Sequence, residues 1–309
     1  MRRISIASVL RQSREQCRAS LRRIYATLCS LGLLFAVGGC GVTQTPTSAD
    51  VPQGPTIAIA VTNDVPGLGF EHEGKYSGFD IEVARYVAQK LGYAEKQIVF
   101  KPVSTASVVQ TLEDSKADLY VSIRPSLTAT TAGRQLGVSN AYLIDPLALL
   151  VPKRLQDEFT DSSSLDNRKI CTVKGTSDAN YFASHVPGVQ VEQRDTYPQC
   201  LTALLSGAVD AVGADAAVLA GLASGVVERS VTVLGDQSAS DSLAAFVAGI
   251  AQVPHVVMVR QSDGELTKKI DNILRDMAED GTWSQAVETM RKDVGYSFDE
   301  SLNVTMRRH

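Results

Sequence analysis

The sequence predicts an α/β protein: two α/β units in series, with a helical tail and an exported leader. Three observations carry that expectation. Short apolar runs rich in β-branched residues alternate with amphipathic stretches through residues 55–294. The alternation occurs twice, each time over enough chain for a sheet and its helices. Hydrophobic content of 44% and charged content of 21% are those of a soluble globular protein.

The leader comes first. Residues 1–39 hold seven arginines against a single acid, Glu15. The apolar stretch IYATLCSLGLLFAVGGC follows, too short for a comfortable membrane span. A basic region, an apolar region and small residues at its end make a secretory signal. Its last residues, Val37-Gly38-Gly39-Cys40, resemble a bacterial lipobox. That implies a signal peptide of 1–39 and lipidation (palmitate) of Cys40 as the new N-terminus. A flexible polar tether, 40–54, comes next.

Removing seven basic residues and one acidic one from totals of 30 and 34 leaves 23 against 33, a net charge of −10. Such a chain is a poor partner for nucleic acid. Beyond Cys40 only Cys171 and Cys200 remain. An even pair in an exported chain reads as a disulfide bond, with two buried thiols as the alternative.

In the first unit, TIAIAV (56–61) is a buried strand, followed by a loop with Asn63, Asp64, Pro66 and Gly67. In GFDIEVARYVAQKL (78–91), Gly78 suits a turn and Asp80 a helix cap, while Ile81, Ala84, Ala88 and Leu91 share one helical face. Strand 97–103, a helix capped by Ser104 and strand 117–123 complete a βαβαβ unit with a parallel sheet. The second unit reads as strands at 148–152, 169–174, 189–194, 208–214 and 230–235, with helices at 175–185, 197–207 and 215–225. The apolar stretch 243–259 is broken by Gly249, Gln252, Pro254 and His255, so it is a crossover and a strand rather than a span. Two helices, 264–281 and 282–294, close the chain.

Several of these pieces resemble, in order, the extracellular solute-binding proteins of bacteria, polar amino acid type (family 3). They are GFDIEVARYVAQKL, LEDSKADLYVSI, GVSNAY (137–142), KICTVKGTS, LTALLSGAVDAVGADAAVLAGL and DGTWSQAVETMRKD. The placement of Cys171 and Cys200 is similar to that in actinobacterial glutamine/glutamate-binding lipoproteins. The resemblance covers about 55–293. It implies a two-lobe type II periplasmic-binding-protein fold, each lobe a mostly parallel sheet flanked by helices, joined by two crossover strands. Lobe one would be 55–147 plus 251–309 and lobe two 148–250. It also implies a monomeric, lipid-anchored capture protein on the outer face of the cell membrane. Such a protein delivers glutamate or glutamine to the permease and ATPase subunits of an ABC importer.

A zwitterion taken from water needs a fixed anion and a fixed cation. Asp215 stands where the family has its ammonium-binding Asp, at a strand end where open α/β sheets present ligands; a helix cap is its other reading. An arginine fork suits the carboxylate. Arg134, in TAGR (131–134), matches the family's Thr-x-x-Arg, although the loop is rebuilt, and Arg124 is its rival. Gly175, Thr176 and Ser177 offer amides and hydroxyls at a helix start. Asp64 ends the first strand. The family's sandwiching aromatics are replaced by Val65 and Thr105, and Phe70 is a substitute or a core residue. The histidines are scattered, none at metal-ligand spacing, and no nucleophile elbow or phosphate loop occurs. No cofactor and no catalysis are therefore expected. A sensing lipoprotein without transport, or an enzyme on the same scaffold, are the competing readings.

Overall fold

The computed structural model describes residues 52–123, 125–126, 136–226, 230–234, 242–260, 264–298 and 303. The leader, Cys40, most of the tether, Arg124 and Arg134 lie outside them.

The first lobe is built on β1 (Ile57–Val61), whose aliphatic side chains are almost wholly buried. A small antiparallel sheet follows, of β2 (Asp64–Val65), β3 (Gly69–His72) and β4 (Lys75–Ser77). It hands the chain to helix α1 (Phe79–Lys90) through Gly78. Gly78 has φ of 111°, and a Cβ there would collide with the Leu68 carbonyl, so the turn admits only glycine. Strands β5 (Ile98–Pro102) and β6 (Leu119–Ile123) pair with β1 in parallel, one on each side. Helix α2 (Val108–Glu113) connects them. This is the βαβαβ unit that the alternation of runs predicts.

Two caps differ from expectation. Ser104 does not cap α2; it closes a turn with Ser107, which takes the cap position but turns its hydroxyl to Ser104 rather than to the helix amides. Asp80 sits inside α1 rather than at its cap, which is Gly78. The helix begins two residues earlier and turns the Asp80 carboxyl inward, where side chains from three distant parts of the chain receive it.

After β7 (Gly137–Val138) comes β8 (Leu143–Pro152), ten residues long. The second lobe is β9 (Lys169–Val173), α3 (Asp178–His185), β10 (Gln190–Arg194), α4 (Tyr197–Leu205), β11 (Ala211–Asp215), α5 (Ala216–Ser224) and β12 (Val231–Leu234). β9 pairs in parallel with β10 and β11, while β8 runs antiparallel to β11 and β12. The disulfide Cys171–Cys200 staples β9 to α4, with Cα atoms 5.6 Å apart. Helix α6 (Ser242–Ile250) then leads into β13 (Gln252–Val259); the strand expected within 243–259 is present, and the stretch before it is helical. Among the described residues no helix is long and apolar enough to cross a membrane.

Strands β8 and β13 join the lobes. β8 pairs with β13 through Leu143–Pro146 and with β11 through Leu147–Leu150. β13 pairs with β8 through Gln252–His255 and with β6 through His255–Val259. Helices α7 (Glu265–Glu279) and α8 (Thr282–Val294) return to pack on α1. Trp283 on α8 is buried, and its indole N–H donates to the Tyr142 carbonyl at 2.8 Å.

Candidate functional site: a buried carboxylate at the inter-lobe cleft

Strand ends from both lobes converge where β8 and β13 cross. The lobes touch at Gly175, whose carbonyl accepts from the Ser126 amide at 2.7 Å. Gly175 has φ of +84° and lies against the backbone of Thr105 and Ala106, so a side chain has no room there. A cavity of about 180 Å³ lies among Thr62, Asn63, Asp64, Thr105, Thr196 and Tyr197. A second, of about 260 Å³, lies among Ile123, Ser126, Ser177, Asp178, Tyr181 and Pro254. Each is walled by both lobes.

Behind these walls runs a buried polar relay. Asp80 accepts from the Tyr142 hydroxyl at 2.7 Å and from Ser122 Oγ at 2.8 Å, and its Oδ1 lies 3.3 Å from His255 Nδ1. Thr62 and Ser122 share a further hydroxyl contact of 3.2 Å. On the other side of the imidazole, His255 Nε2 stands 3.9 Å from Asp215 Oδ1. That is an ion-pair distance, too long for a hydrogen bond. Asp215 Oδ1 also accepts from the Val218 amide at 3.0 Å and caps α5. The second oxygen, Oδ2, is buried with no hydrogen-bond partner among the described residues.

Asp145 of β8 adds a further buried carboxyl, accepting from the Ala217 amide and the Tyr296 hydroxyl, both at 2.7 Å. Burial raises its pKa, and the charge of Asp215 raises it further. Asp178 is pushed up to about 7 by burial and then by Asp215. Tyr197 is raised well above its usual value by burial, with Asp178, Asp215 and Asp64 adding to it. Since Asp178 lines one cavity and Tyr197 the other, the field of Asp215 reaches both. Burial alone would strip His255 of its proton, but Asp80 and Asp215 outweigh it and hold the ring at about 10.

Asp215 ends β11 and caps α5, the second of the two roles read from the sequence, and it lines neither cavity itself. Gly175 is an inter-lobe contact. Ser177 lines the second cavity without capping α3, and the Thr176 hydroxyl donates to the Val173 carbonyl at 2.8 Å, bracing the loop. Asp64 lines the first cavity; burial raises its pKa while its bond to the Tyr197 backbone opposes this. Phe70 is half-buried on the small sheet, stacked on His72 at 6.3 Å, and lines neither cavity. Among the described residues no group of three or more histidines, cysteines or acids is arranged to hold a metal ion.

Sequence reasoning missed Asp80, Tyr142, Asp145, Asp178 and His255 as parts of this centre. For two of them a signal exists. Asp145 in LIDPLALLVP and His255 in VPHVVMV are lone ionisable residues inside apolar runs, positions that demand a buried partner.

A hinged pair of lobes around a buried anion defines a two-lobe solute-binding fold. Residues 57–291 match the family described as bacterial extracellular solute-binding proteins, family 3, and the chain belongs to that family. It is 28% identical to the glutamate-binding protein GluB of Corynebacterium glutamicum over 74% of this chain and 76% of the relative. It is 23% identical to the ABC transporter glutamine-binding protein GlnH of Bacillus subtilis, over 88% and 98% of the two chains. A solved ancestral arginine-binding protein bound to arginine is 26% identical with a TM-score of 0.62, over 77% of this chain and 99% of that one.

Proposed function

We propose that this protein captures a polar amino acid, glutamate or glutamine first, and delivers it to the permease and ATPase subunits of an ABC importer. In this reading it works outside the cytoplasm, as a monomer tethered by a lipid on Cys40 after removal of 1–39, with 40–54 as the flexible link. The lobes divide as 55–147 plus 251–309 and 148–250, a division supported by the change of partner along β8 at Pro146–Leu147.

The observation that carries the reading is Asp215 Oδ2, a buried carboxylate oxygen with no hydrogen-bond partner among the described residues. Leaving such a group unpaired is costly. An ammonium donated by a ligand between the lobes removes that cost, and closure then follows from contacts made only in the closed state. The ligand's carboxylate is assigned to Arg134, with Arg124 as the alternative, together with the amides and hydroxyls of Gly175, Thr176 and Ser177. Asp64 faces the ligand's side chain; Phe70 is the weakest member of the set, since its ring is stacked on His72 in the small sheet and lines neither cavity. The names of GluB and GlnH support the choice of ligand.

Calorimetry of the purified protein against the twenty amino acids tests the reading. Saturable heat with one or a few polar amino acids is expected. No heat and no thermal shift with any of them would reject it.

A further inference from the structure

His255 is the only buried basic side chain among the described residues, fully excluded from solvent, and no role has yet been given to it. It sits on β13 where that strand passes between the lobes, paired in register with Ile123 of β6 and Leu143 of β8. Its carbonyl accepts from the Tyr142 amide at 3.0 Å, and the Tyr142 ring meets the imidazole edge-on with centroids 6.0 Å apart. Backbone and ring are thus both fixed at the hinge. From there Nδ1 reaches Asp80 in the first lobe and Nε2 reaches Asp215 in the second.

We propose that His255 is a positioning residue for the binding carboxylate: it ties Asp80 to Asp215 across the hinge, holds one oxygen of Asp215 and leaves the other for a ligand's ammonium. The inference rests on the reading of Asp215 as the ammonium site. Asp215 Oδ1 accepts from the Val218 amide and lies at ion-pair distance, 3.9 Å, from His255 Nε2, which makes no hydrogen bond among the described residues; Oδ2 has no hydrogen-bond partner among them either. A carboxylate held by one oxygen presents the other in a fixed direction. Besides Asp80 of α1 and Asp215 of β11, the groups near the ring are Tyr142 ahead of β8 and Asp145 within it. All but Tyr142 are carboxyls, so the imidazolium is the sole buried counter-charge among the described residues. Without it, several buried acids would face one another unbalanced. The value of about 10 for the ring agrees with that role.

Two arms test this on the full chain. In the first, histidine-selective ¹⁵N NMR of the ligand-free protein follows the ring through its titration. His72 and His185 are exposed and serve as internal references. Asp215→Asn is expected to lower the midpoint of His255 and leave both references in place; an unmoved His255 midpoint overturns the proposal. In the second arm the probes are L-glutamine and its des-amino analogue, 4-carbamoylbutanoate. His255→Gln is expected to weaken L-glutamine on the order of tenfold while changing the analogue, which has no ammonium, less than twofold. Equal weakening of both probes means a merely structural role and overturns the proposal. If L-glutamine and every other amino acid fail to bind the wild type, the functional reading falls by itself. The first arm then still decides whether His255 is coupled to Asp215.

Discussion

Asp80 in the first lobe and Asp215 in the second flank the same imidazole, are equally buried, and have unequal partners. Asp80 receives Tyr142 and His255 on one oxygen and Ser122 on the other. Asp215 accepts from the Val218 amide on one oxygen, with His255 only at ion-pair distance, and has no hydrogen-bond partner among the described residues on the other. A saturated buried carboxylate specifies the fold around it; a half-empty one is a site. The first lobe thus supplies a fixed frame, and the second supplies an anion that the frame aims. Stability measurements should read Asp80, and binding measurements should read Asp215.

The largest effect is expected at Asp80. Asp80→Ala leaves the His255 imidazolium, the Tyr142 hydroxyl and Ser122 without their common acceptor. Breaking a buried charged network from one side costs about 3–5 kcal/mol. Urea unfolding should show that loss, and a cost under about 1 kcal/mol would remove Asp80 as the frame. Asp215→Ala should behave in the opposite way. Loss of the α5 cap costs about 1 kcal/mol. Affinity for the amino acid found by calorimetry should fall by about 2–5 kcal/mol, the usual result of truncating one side of a buried charge pair. Near-normal affinity would erase the contrast between the two residues.

That contrast was only half legible in the sequence. Strands β1, β5 and β6 announce themselves as apolar runs between turn signals, and Asp215 stands at a strand end followed by a helical run. Periodicity reports such local facts well. Asp80 was misread because its neighbourhood, a glycine turn before a helix, satisfies local capping logic. Its true partners, Ser122, Tyr142 and His255, are 42, 62 and 175 residues away. No local pattern encodes such pairings. Ser104 failed in a similar way, because an intervening turn competes with the helix for its hydroxyl. The two candidate arginines lie outside the described residues, so the cationic half of the site stands on the sequence alone.

Titration sharpens the comparison next, because His255 serves both carboxylates. Its ordinary value of 6.5 rises to about 10 in the folded protein. A basic group held up in this way contributes its full stabilisation below about 6.5, and that contribution fades as pH climbs towards 10. Asp178, an acid raised to about 7, exerts its effect at lower pH and is complete by roughly pH 8. Thermal stability should therefore fall from pH 8 towards 10, by at most about 1.4 kcal/mol per pH unit for one proton. His255→Gln should flatten that slope. An equal slope in the variant would show that some other group controls it.

The smallest effect expected is at the contact between the lobes, and it separates the frame from the moving parts. Gly175 holds φ of +84°, where an alanine costs about 1 kcal/mol whether the lobes are open or closed. Closure adds a second cost. A Cβ on Gly175 would meet the Ala106 amide and, at 2.7 Å, the Thr105 carbonyl carbon. Opening the hinge relieves that collision and breaks the bond from the Ser126 amide to the Gly175 carbonyl. Gly175→Ala should accordingly lower unfolding stability slightly and shift the population towards open. Small-angle scattering should register a larger radius of gyration, and affinity should fall about fivefold, near 1 kcal/mol. Asp215 is unchanged in this variant, so the discrimination between an amino acid and its des-amino analogue should survive. If that discrimination disappeared while the radius stayed at the wild-type value, Gly175 would be shaping the anion's surroundings rather than the hinge.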